Sequence, residues 1–398
     1  MKSSNYHVLH ISTSHTGGAG IAARRLNQGL NTSGTSSSFL TIARSEFSPN
    51  INEFVIDRHV LLKMQSAGLA KFNSYLNKKT YFTLTSKNVL KIKDLKNMLS
   101  HKDSILHIHN WFNFLNPDII RSLLSQGFPV VFTLHDMRLF TGGCHYSLDC
   151  YGYKTNCASC QLLPKFLSFK PSKNLVNMRK VLESHSTQIK FVAPSKWIMK
   201  KAKESALLKD KQISFIPNYH GIEYRNTINS HANPRDKTQE INIGIASLNP
   251  TSYLKGGDLT FKLIMAAKNE YPKINFKFLA NFQTGGNSSD DFWADIDFLL
   301  VLSRADNSPN VIHEAKSQGI PVISSMVGGI YELLNPQIDL LISLKEFNER
   351  HILNLIVDLS KDATRFKRKG LDPKYEQYKQ NSLQDMKKLY ESFYTKNF

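Results

Sequence analysis

Short apolar runs alternate with longer stretches of helical periodicity along most of this chain. Tyr6–Ile11 (YHVLHI) reads as a strand, passes through STSHTGGAG and leads into a helical pattern over Ile21–Leu30. Phe39–Ala43, Glu53–Ile56, Ile105–His109 (ILHIH), Val130–Leu134 (VVFTL), Phe191–Ala193 and Ile213–Ile216 are further strand-like runs, several of them separated by helical sequence. Parallel neighbours need crossover connections, so strand and helix in alternation predict a doubly wound α/β domain ending near Pro217. A polar stretch follows, containing NSHANPRDK, and then the alternation resumes with INIGIAS, a helix over Leu259–Asn269, INFKFLA, DFLLVLS, a helix near Val311–Gln318, and PVISS. The expected organisation is a first domain over 1–218, a linker over 219–240, a second and shorter domain over 241–370, and a terminal helix over 371–398 that packs back on the first domain. Two such domains facing each other place a cleft at the carboxyl ends of both sheets, where ligands bind in this architecture.

Length agrees with two or three domains: the chain has 398 residues, against about 100–200 per domain. No run approaches the roughly 18 apolar residues that span a bilayer. The start, MKSSNYHVLHIS, has no apolar signal core, and the four cysteines are too few for a disulfide scaffold of this size. The expected compartment is the cytoplasm.

Charge changes this picture. Fifty-one Lys and Arg against 32 Asp and Glu leave a formal +19, which favours anionic partners. Lys63 to Lys102 holds nine lysines and one acid, Asp94, interleaved with Leu69, Phe72, Tyr75, Leu76, Tyr81 and Phe82; from Lys361 onward there are ten basic and five acidic residues. Such stretches suit the plane of an anionic membrane or, equally, a solvated helix face over a buried apolar stripe. Nucleic acid is not an expected partner, because a zinc module that binds it should have basic flanks, and only Lys154, Lys165 and Arg138 stand near the cysteines.

Four groups of residues could carry chemistry. Gly17-Gly18-Ala19-Gly20 follows the first strand and opens a helix, where free N–H groups attract phosphate; the alternative is a tight turn with no ligand. The dinucleotide fingerprint is met only loosely, and the second strand is followed by Arg44 in place of a ribose-holding acid. His135, in Thr133-Leu134-His135-Asp136, stands at a strand's carboxyl end, where it donates to a sugar hydroxyl or phosphate, unless Asp136 is a turn cap and the ring is packed beside it. Cys144, Cys150, Cys157 and Cys160 are spaced C-x5-C-x6-C-x2-C within 17 residues. The spacing suits a closed structural zinc site, with His145 as a substitute ligand; packed free thiols and a redox pair at Cys157 and Cys160 are the other readings. Finally, SRADNSPNVIHEAKSQGIPVISS runs from a strand into a helix beginning near Pro309, and Asp306 and Glu314 stand eight apart beside that helix start. Asp295-Ile296-Asp297 opens an apolar strand, and Asp290-Asp291 lies in a polar loop, so neither pair is read as a metal site.

With these residues assembled, the chain resembles the GT-B glycosyltransferases, in particular the retaining family 4 and its members from bacterial colanic-acid, capsule and exopolysaccharide clusters. Val130 to Cys160 is the most specific stretch, and VLHISTSHTGGAG, FVAPSKW, Ile216 to Asn218, and ADNSPNVIHEAKSQGIPVISSMVGG fit the same pattern. The resemblance implies transfer of a sugar from a nucleotide-diphosphate donor to a lipid-linked or saccharide acceptor, at the inner face of the cell membrane, with no cofactor required for catalysis. It assigns Glu314 to the donor ribose and Asp306 and Asn307 to the transferred sugar. The backbone of Ser308, Pro309 and Asn310, with Gly17 and Gly18, falls to the diphosphate, and His135 to the donor sugar near the reacting centre. Lys255, in Leu254-Lys255-Gly256-Gly257, matches the lysine that neutralises the leaving diphosphate. Asp306 stands where the family has a glutamate. The arginine upstream of that lysine has no counterpart, with Ser247 or Asn249 in its region, and the chain between Phe282 and Phe298 is short. These departures motivate the alternative of a degenerate GT-B protein that binds a glycan or partner without turnover.

Overall fold

The computed structural model describes residues 6–42, 49–56, 82–83, 90, 92, 95, 98–99, 103–112, 114–221, 240–246, 251–279, 289–361, 372–379 and 381–395. Most of the Lys63–Lys102 stretch, Arg44, most of the expected linker, Ser247, Asn249, the residues after Leu279 up to 288 and most of the basic run at 362–371 lie outside the described residues.

The chain divides into two compact units, Met1–Gly221 with Asn381–Phe398, and Ile222–Gln380. The terminal region expected as one helix over 371–398 is therefore split. A helix at Pro373–Lys379 stays with unit 2, and a helix at Ser382–Glu391 belongs to unit 1. Its apolar face decides this, since Met386 and Tyr390 are buried with Val8, Leu26 and Val131 of unit 1.

In unit 1 the strands β1 (His7–Ser12), β2 (Ser37–Ile42), β3 (Glu53–Ile56), β4 (Ser104–Asn110), β5 (Val130–Thr133), β6 (Ile189–Ala193) and β7 (Ile213–Phe215) form one parallel sheet in the order β3-β2-β1-β4-β5-β6-β7. Every residue of β1, β2 and β5 is buried, which is why these strands read as continuous apolar runs. Successive side chains go to opposite faces. Leu9, Ile11, Leu106, Ile108 and Phe132 enter one core, with Leu90, Leu95 and Leu99 of the basic stretch. Val8, Ile105 and Val131 enter the other. The second face is covered by helix α1 (Gly17–Thr32) and the Ser382–Glu391 helix. The first is covered by α2 (Pro117–Ser125), α3 (Lys170–Ser184) and α4 (Lys196–Lys203). Local sequence starts these helices: Asn116 Oδ1 accepts from Ile119 N at 2.9 Å with Pro117 in the first turn, and Ser195 Oγ accepts from Ile198 N. Because α1 and α2 lie on opposite faces, the carboxyl ends of the adjacent strands β1 and β4 form the switch point of the sheet.

Unit 2 repeats the logic with β8 (Ile241–Ile245), β9 (Ile274–Phe278), β10 (Phe298–Val301), β11 (Val322–Ser325) and β12 (Leu340–Ile342), all parallel, in the order β12-β11-β10-β8-β9. Helix α5 (Gly257–Glu270) packs on one face. Helices α6 (Ser289–Asp295), α7 (Asn310–Ser317) and α8 (Ile330–Leu333) pack on the other, and α9 (Glu349–Lys361) joins α5. The switch point therefore falls at β8 and β10. Helix α7 is pinned by a buried ion triad. Lys316 Nζ pairs with Asp339 and, at 3.2 Å, with Asp372, while Asp339 also accepts from Val322 N and Asn335 N at 2.8 Å each. Among the described residues no helix is long and apolar enough to cross a membrane.

Candidate functional site

Unit 2 gathers its expected residues at its switch point. Lys255, on the loop after β8, and Asp306, on the loop after β10, stand 51 positions apart in sequence, and Lys255 Nζ donates to Asp306 Oδ2 at 2.5 Å. The loop that carries Lys255 ends in Gly256, whose φ of +72° is left-handed and whose Cβ would stand 1.8 Å from the Leu302 carbonyl oxygen, so the turn accepts no other residue. Arg304, which sequence reasoning passed over, holds the same loop. Its guanidinium lies 3.7 Å over the Tyr253 ring, donates to the Tyr253 carbonyl at 2.6 Å and forks onto both oxygens of Asp258. The Arg304 fork, with its hydrogen bonds, holds the Asp258 carboxyl below its ordinary range against the opposing effect of burial.

Asp306 turns its other oxygen to the Asn307 amide N–H at 2.9 Å, and both residues are buried. Beyond them the backbone of Ser308, Pro309 and Asn310 enters α7, whose first N–H groups have no partner within the helix. Ser308 Oγ is 2.8 Å from His313 Nε2, and His313 Nδ1 is 3.1 Å from the hydroxyl of buried Tyr375. The entrance to α7 is thus braced from behind. Glu314 lies one turn inside α7 and is half-buried. Asp295 and Asp297 are at the other end of β10: Asp297 accepts from Asn242 N at 2.8 Å and Asp295 pairs with Lys277 at 3.3 Å.

Unit 1 places Gly17 and Gly18 at the start of α1, directly beyond β1. Gly17 has a φ of +77°, and a Cβ at either position would meet nothing within 4 Å, so this turn borders open space. Thr13 ties the turn to the end of β4, donating from its hydroxyl to the carbonyls of Asn110 and Phe112 at 3.2 and 2.8 Å.

His135 is not an isolated ring. His10 on β1, His107 and His109 on β4 and His135 just past β5 form a row across three neighbouring strands, with His10 and His107 in register. His10 Nδ1 is 2.9 Å from His109 Nε2, and His109 Nδ1 is 2.9 Å from His135 Nε2. His107 stacks on His109 with centroids 4.0 Å apart and bonds Tyr390 Oη and Thr133 Oγ1 at 2.6 Å each. Burial, helped by the neighbouring imidazoles, keeps His107 and His109 far below the ordinary histidine range; burial likewise lowers His10 to about 3 and His135 to about 4. Sequence reasoning missed three of these rings, although the signal was present: ILHIH sets His107 and His109 on one face of a strand. Their three ligand atoms are the one group of three or more among the described residues that lies within 4.8 Å and could hold a metal ion. Five of their six ring nitrogens are already hydrogen-bonded, so the row reads first as a polar network.

The cysteine loop follows β5. Asp136 does form a turn, accepting from Arg138 N at 2.8 Å, and its other oxygen lies 2.7 Å from His145 Nδ1. His145 Nε2 is 2.9 Å from Thr83 Oγ1, so both ring nitrogens of this suggested substitute metal ligand are taken. Cys150 Sγ accepts from Gly152 N at 3.5 Å, Cys157 accepts from the Gly142 N–H, and Cys160 from those of Leu162 and Leu163. Burial is the largest cause that pushes the Cys144, Cys157 and Cys160 thiols up, helped by the neighbouring sulfurs, and the N–H donors to Cys157 and Cys160 oppose it only in part. The donor set fits zinc, but no three of the sulfurs close to the spacing that the histidines reach.

The neutral rings make stability depend on pH. Unfolded histidine takes its proton near 6.5, while the folded rings stay neutral, so the unfolded state binds more protons below that value. Stability therefore falls as the pH drops through 6.5 towards 4, with a slope that approaches about 1.4 kcal/mol per pH unit for each of His10, His107 and His109 once the pH is about one unit below that value. Urea titrations between pH 7.5 and 5, followed by tryptophan emission, should show this slope, and His10→Phe should reduce it by one ring's share. A flat profile would contradict the buried neutral row.

No protein-family model matches the chain. It is 26% identical over 248 residues to a putative colanic acid biosynthesis glycosyl transferase, WcaC, of Escherichia coli (strain K12), a match that spans 58% of this chain and 59% of that relative. Solved structures align over nearly the whole chain. Sucrose-phosphate synthase from Thermosynechococcus elongatus has a TM-score of 0.60 at 14% identity, covering 98% of this chain and 99% of its own. The pneumococcal O-GlcNAc transferase GtfA, in complex with UDP and GlcNAc, has a TM-score of 0.59 at 12% identity over 98% and 99%. HepE of Anabaena, in complex with UDP-glucose, has a TM-score of 0.56 at 13% identity over 97% and 99%. At these identities the likeness is one of fold, and that fold is GT-B: two α/β units, each built on a parallel sheet.

Proposed function

We propose that the protein is a retaining glycosyltransferase that moves a hexosyl group from a nucleotide-diphosphate sugar to a lipid-linked or saccharide acceptor in bacterial surface polysaccharide synthesis. One observation carries the reading above the others: Lys255 and Asp306, far apart in sequence, meet at the switch point of unit 2 beside the start of α7. That is where a doubly wound sheet receives a nucleotide, and where helix N–H groups favour a diphosphate. The relatives' names, which include a glycosyl transferase and complexes with UDP and UDP-glucose, support the same donor class.

In this reading Glu314 accepts hydrogen bonds from the ribose hydroxyls. The N–H groups of Ser308 and Asn310 face the diphosphate beside Pro309, and Gly17 and Gly18 leave room for phosphate at unit 1. Asp306 and Asn307 hold the transferred sugar, and His135 hydrogen-bonds the same sugar near its reacting carbon. As the glycosidic bond breaks, negative charge grows on the leaving diphosphate. Lys255, kept in place by Asp306 and by the Arg304-braced loop, then stabilises the transition state more than the ground state. The leaving phosphate takes the acceptor's proton on the face where the acceptor attacks, which retains the anomeric configuration.

Two surfaces complete the proposal. The four cysteines hold a structural zinc ion that ties the loop after β5. Docking on an anionic membrane falls to Phe166 and Phe169, which are 74% and 55% exposed. They stand in a stretch whose charges, Lys165, Lys170, Lys173, Arg179 and Lys180, are all positive. Exposed aromatics in a cationic stretch of chain suit the headgroup region of an anionic bilayer.

Each of these statements has a direct measurement. Thermal unfolding with UDP, GDP and their sugar conjugates should rise by several degrees for one base, since a ligand at about 100 times its Kd contributes roughly 2.7 kcal/mol. Glu314→Ala should lose the shift, and Lys255→Met should lower release of nucleoside diphosphate about 10²–10³-fold, with NMR showing a retained anomer in the product. A shift without turnover in the wild type would favour the degenerate alternative, and no shift would remove the donor. Elemental analysis should find about one zinc per chain, absent in Cys157→Ser/Cys160→Ser; metal-free protein with four titratable thiols overturns the zinc site. Vesicles containing phosphatidylglycerol should sediment the wild type but not Phe166→Ala/Phe169→Ala, and phosphatidylcholine vesicles neither. Equal sedimentation of wild type and variant would dismiss this surface.

A further inference from the structure

The imidazole row of unit 1 has a direction, and that direction determines what His135 can offer a substrate. A neutral imidazole carries one N–H and one lone pair. His109 is bonded through both nitrogens, to His10 on one side and His135 on the other, so it donates to one and accepts from the other. The protons along the row must therefore all point the same way, inward from His135 or outward from His10.

The inner end decides between the two. His10 is fully buried, and its Nε2 has no hydrogen-bond partner among the described residues. If the protons pointed inward, His10 would carry its N–H on Nε2, and a buried N–H without an acceptor is among the rarest features of folded proteins. If they point outward, His10 donates from Nδ1 to His109 Nε2, His109 donates from Nδ1 to His135 Nε2, and only a bare lone pair is left at the inner end. A metal ion held by His10, His107 and His109 is the competing use of these rings. It would take one nitrogen from each ring, and so would have to displace one of the bonds of His107, to Tyr390 or Thr133, and one of the two bonds of His109 within the row.

We propose that His10 and His109 are positioning residues that hold His135 in the Nδ1–H tautomer, so that whatever Nδ1 meets, it meets as a hydrogen-bond donor. His135 Nε2 is occupied as an acceptor, and a neutral Nδ1–H has no lone pair with which to take a proton. The ring thus serves a sugar hydroxyl or developing negative charge as a donor, and it is not a general base. The tautomer itself is independent of the proposed function; its catalytic meaning rests on that reading.

Protein labelled with 15N-histidine, examined by long-range 1H–15N correlation, distinguishes the tautomers, with His135 assigned from the spectrum of His135→Asn. The wild type should show His135 protonated at Nδ1. His109→Leu, which keeps the site apolar but removes the donor, should convert His135 to a mixture with the Nε2–H form. His109→Asn, whose amide nitrogen stands near the place of Nδ1, should restore the wild-type state. A wild-type His135 protonated at Nε2, or a tautomer that His109→Leu leaves unmoved, overturns the proposal. In the nucleoside-diphosphate release assay His109→Leu should lower kcat about tenfold, the worth of one misdirected hydrogen bond. The donor KM should stay within about twofold, with most of kcat returning in His109→Asn. If the tautomers are as stated and the wild type turns over no donor, the function fails and the row stands. If the wild type turns over donor with His135 in the other tautomer, the row fails alone.

Discussion

Unit 1 buries three imidazoles inside a sheet covered on both faces, at positions where such sheets ordinarily hold aliphatic side chains. This demand shapes much of what surrounds it. A desolvated ring that finds no partner costs about 1–3 kcal/mol, so His10, His109 and His135 bond to one another and His107 bonds to Thr133 and Tyr390. The Tyr390 bond involves a helix nearly three hundred residues further along the chain, and with the packing of Met386 and Tyr390 beside Val8 and Leu26 it makes the C-terminal helix part of unit 1. The row also ends at the carboxyl side of the sheet, beside its switch point, so a polar network buried for structural reasons reaches the rim where ligands bind.

Unit 2 meets the same kind of demand with charge. Lys316 is buried on the inner side of α7 and is matched by Asp339 and Asp372, and Asp339 is matched in turn by two backbone N–H groups. A buried ion pair adds little net stability, yet loss of one partner is severe, so the pair fixes the position of what it joins. Here it joins α7 to β11 and to the residue that precedes the Pro373–Lys379 helix. Tyr375 on that helix braces His313, which braces Ser308. The loop bearing Asp306 is thus held from the core side, and the Lys255 loop is held by Arg304. The two sides of the candidate donor site are positioned by separate networks.

Much of this was legible in the linear chain. The alternation of strand and helix pointed to two doubly wound units because period-2 and period-3.6 patterns are local, and because the start signals at Asn116, Ser195 and Pro309 act within a few residues. Position and spacing singled out Asp306, Glu314, His135 and the cysteines, and the family resemblance added Lys255. It did not reveal Arg304, whose partners Tyr253 and Asp258 stand about fifty positions earlier. His10, His107 and His109 likewise went unread, since nothing in YHVLHI or ILHIH alone says that the two segments become neighbouring strands. The split of the C-terminal region was hidden for the same reason, as its two short helices differ in what covers them.

By itself, then, the sequence determined the class of fold, the two units and the residue types available at the carboxyl ends of their strands, all of which follow from local periodicity and short-range hydrogen bonding. Only the tertiary structure decided which of those residues meet: Lys255 with Asp306, Arg304 with the loop it braces, and His135 with the buried imidazoles behind it. Strand order and register bring these pairs together, and they depend on which apolar faces are buried against one another across the whole unit.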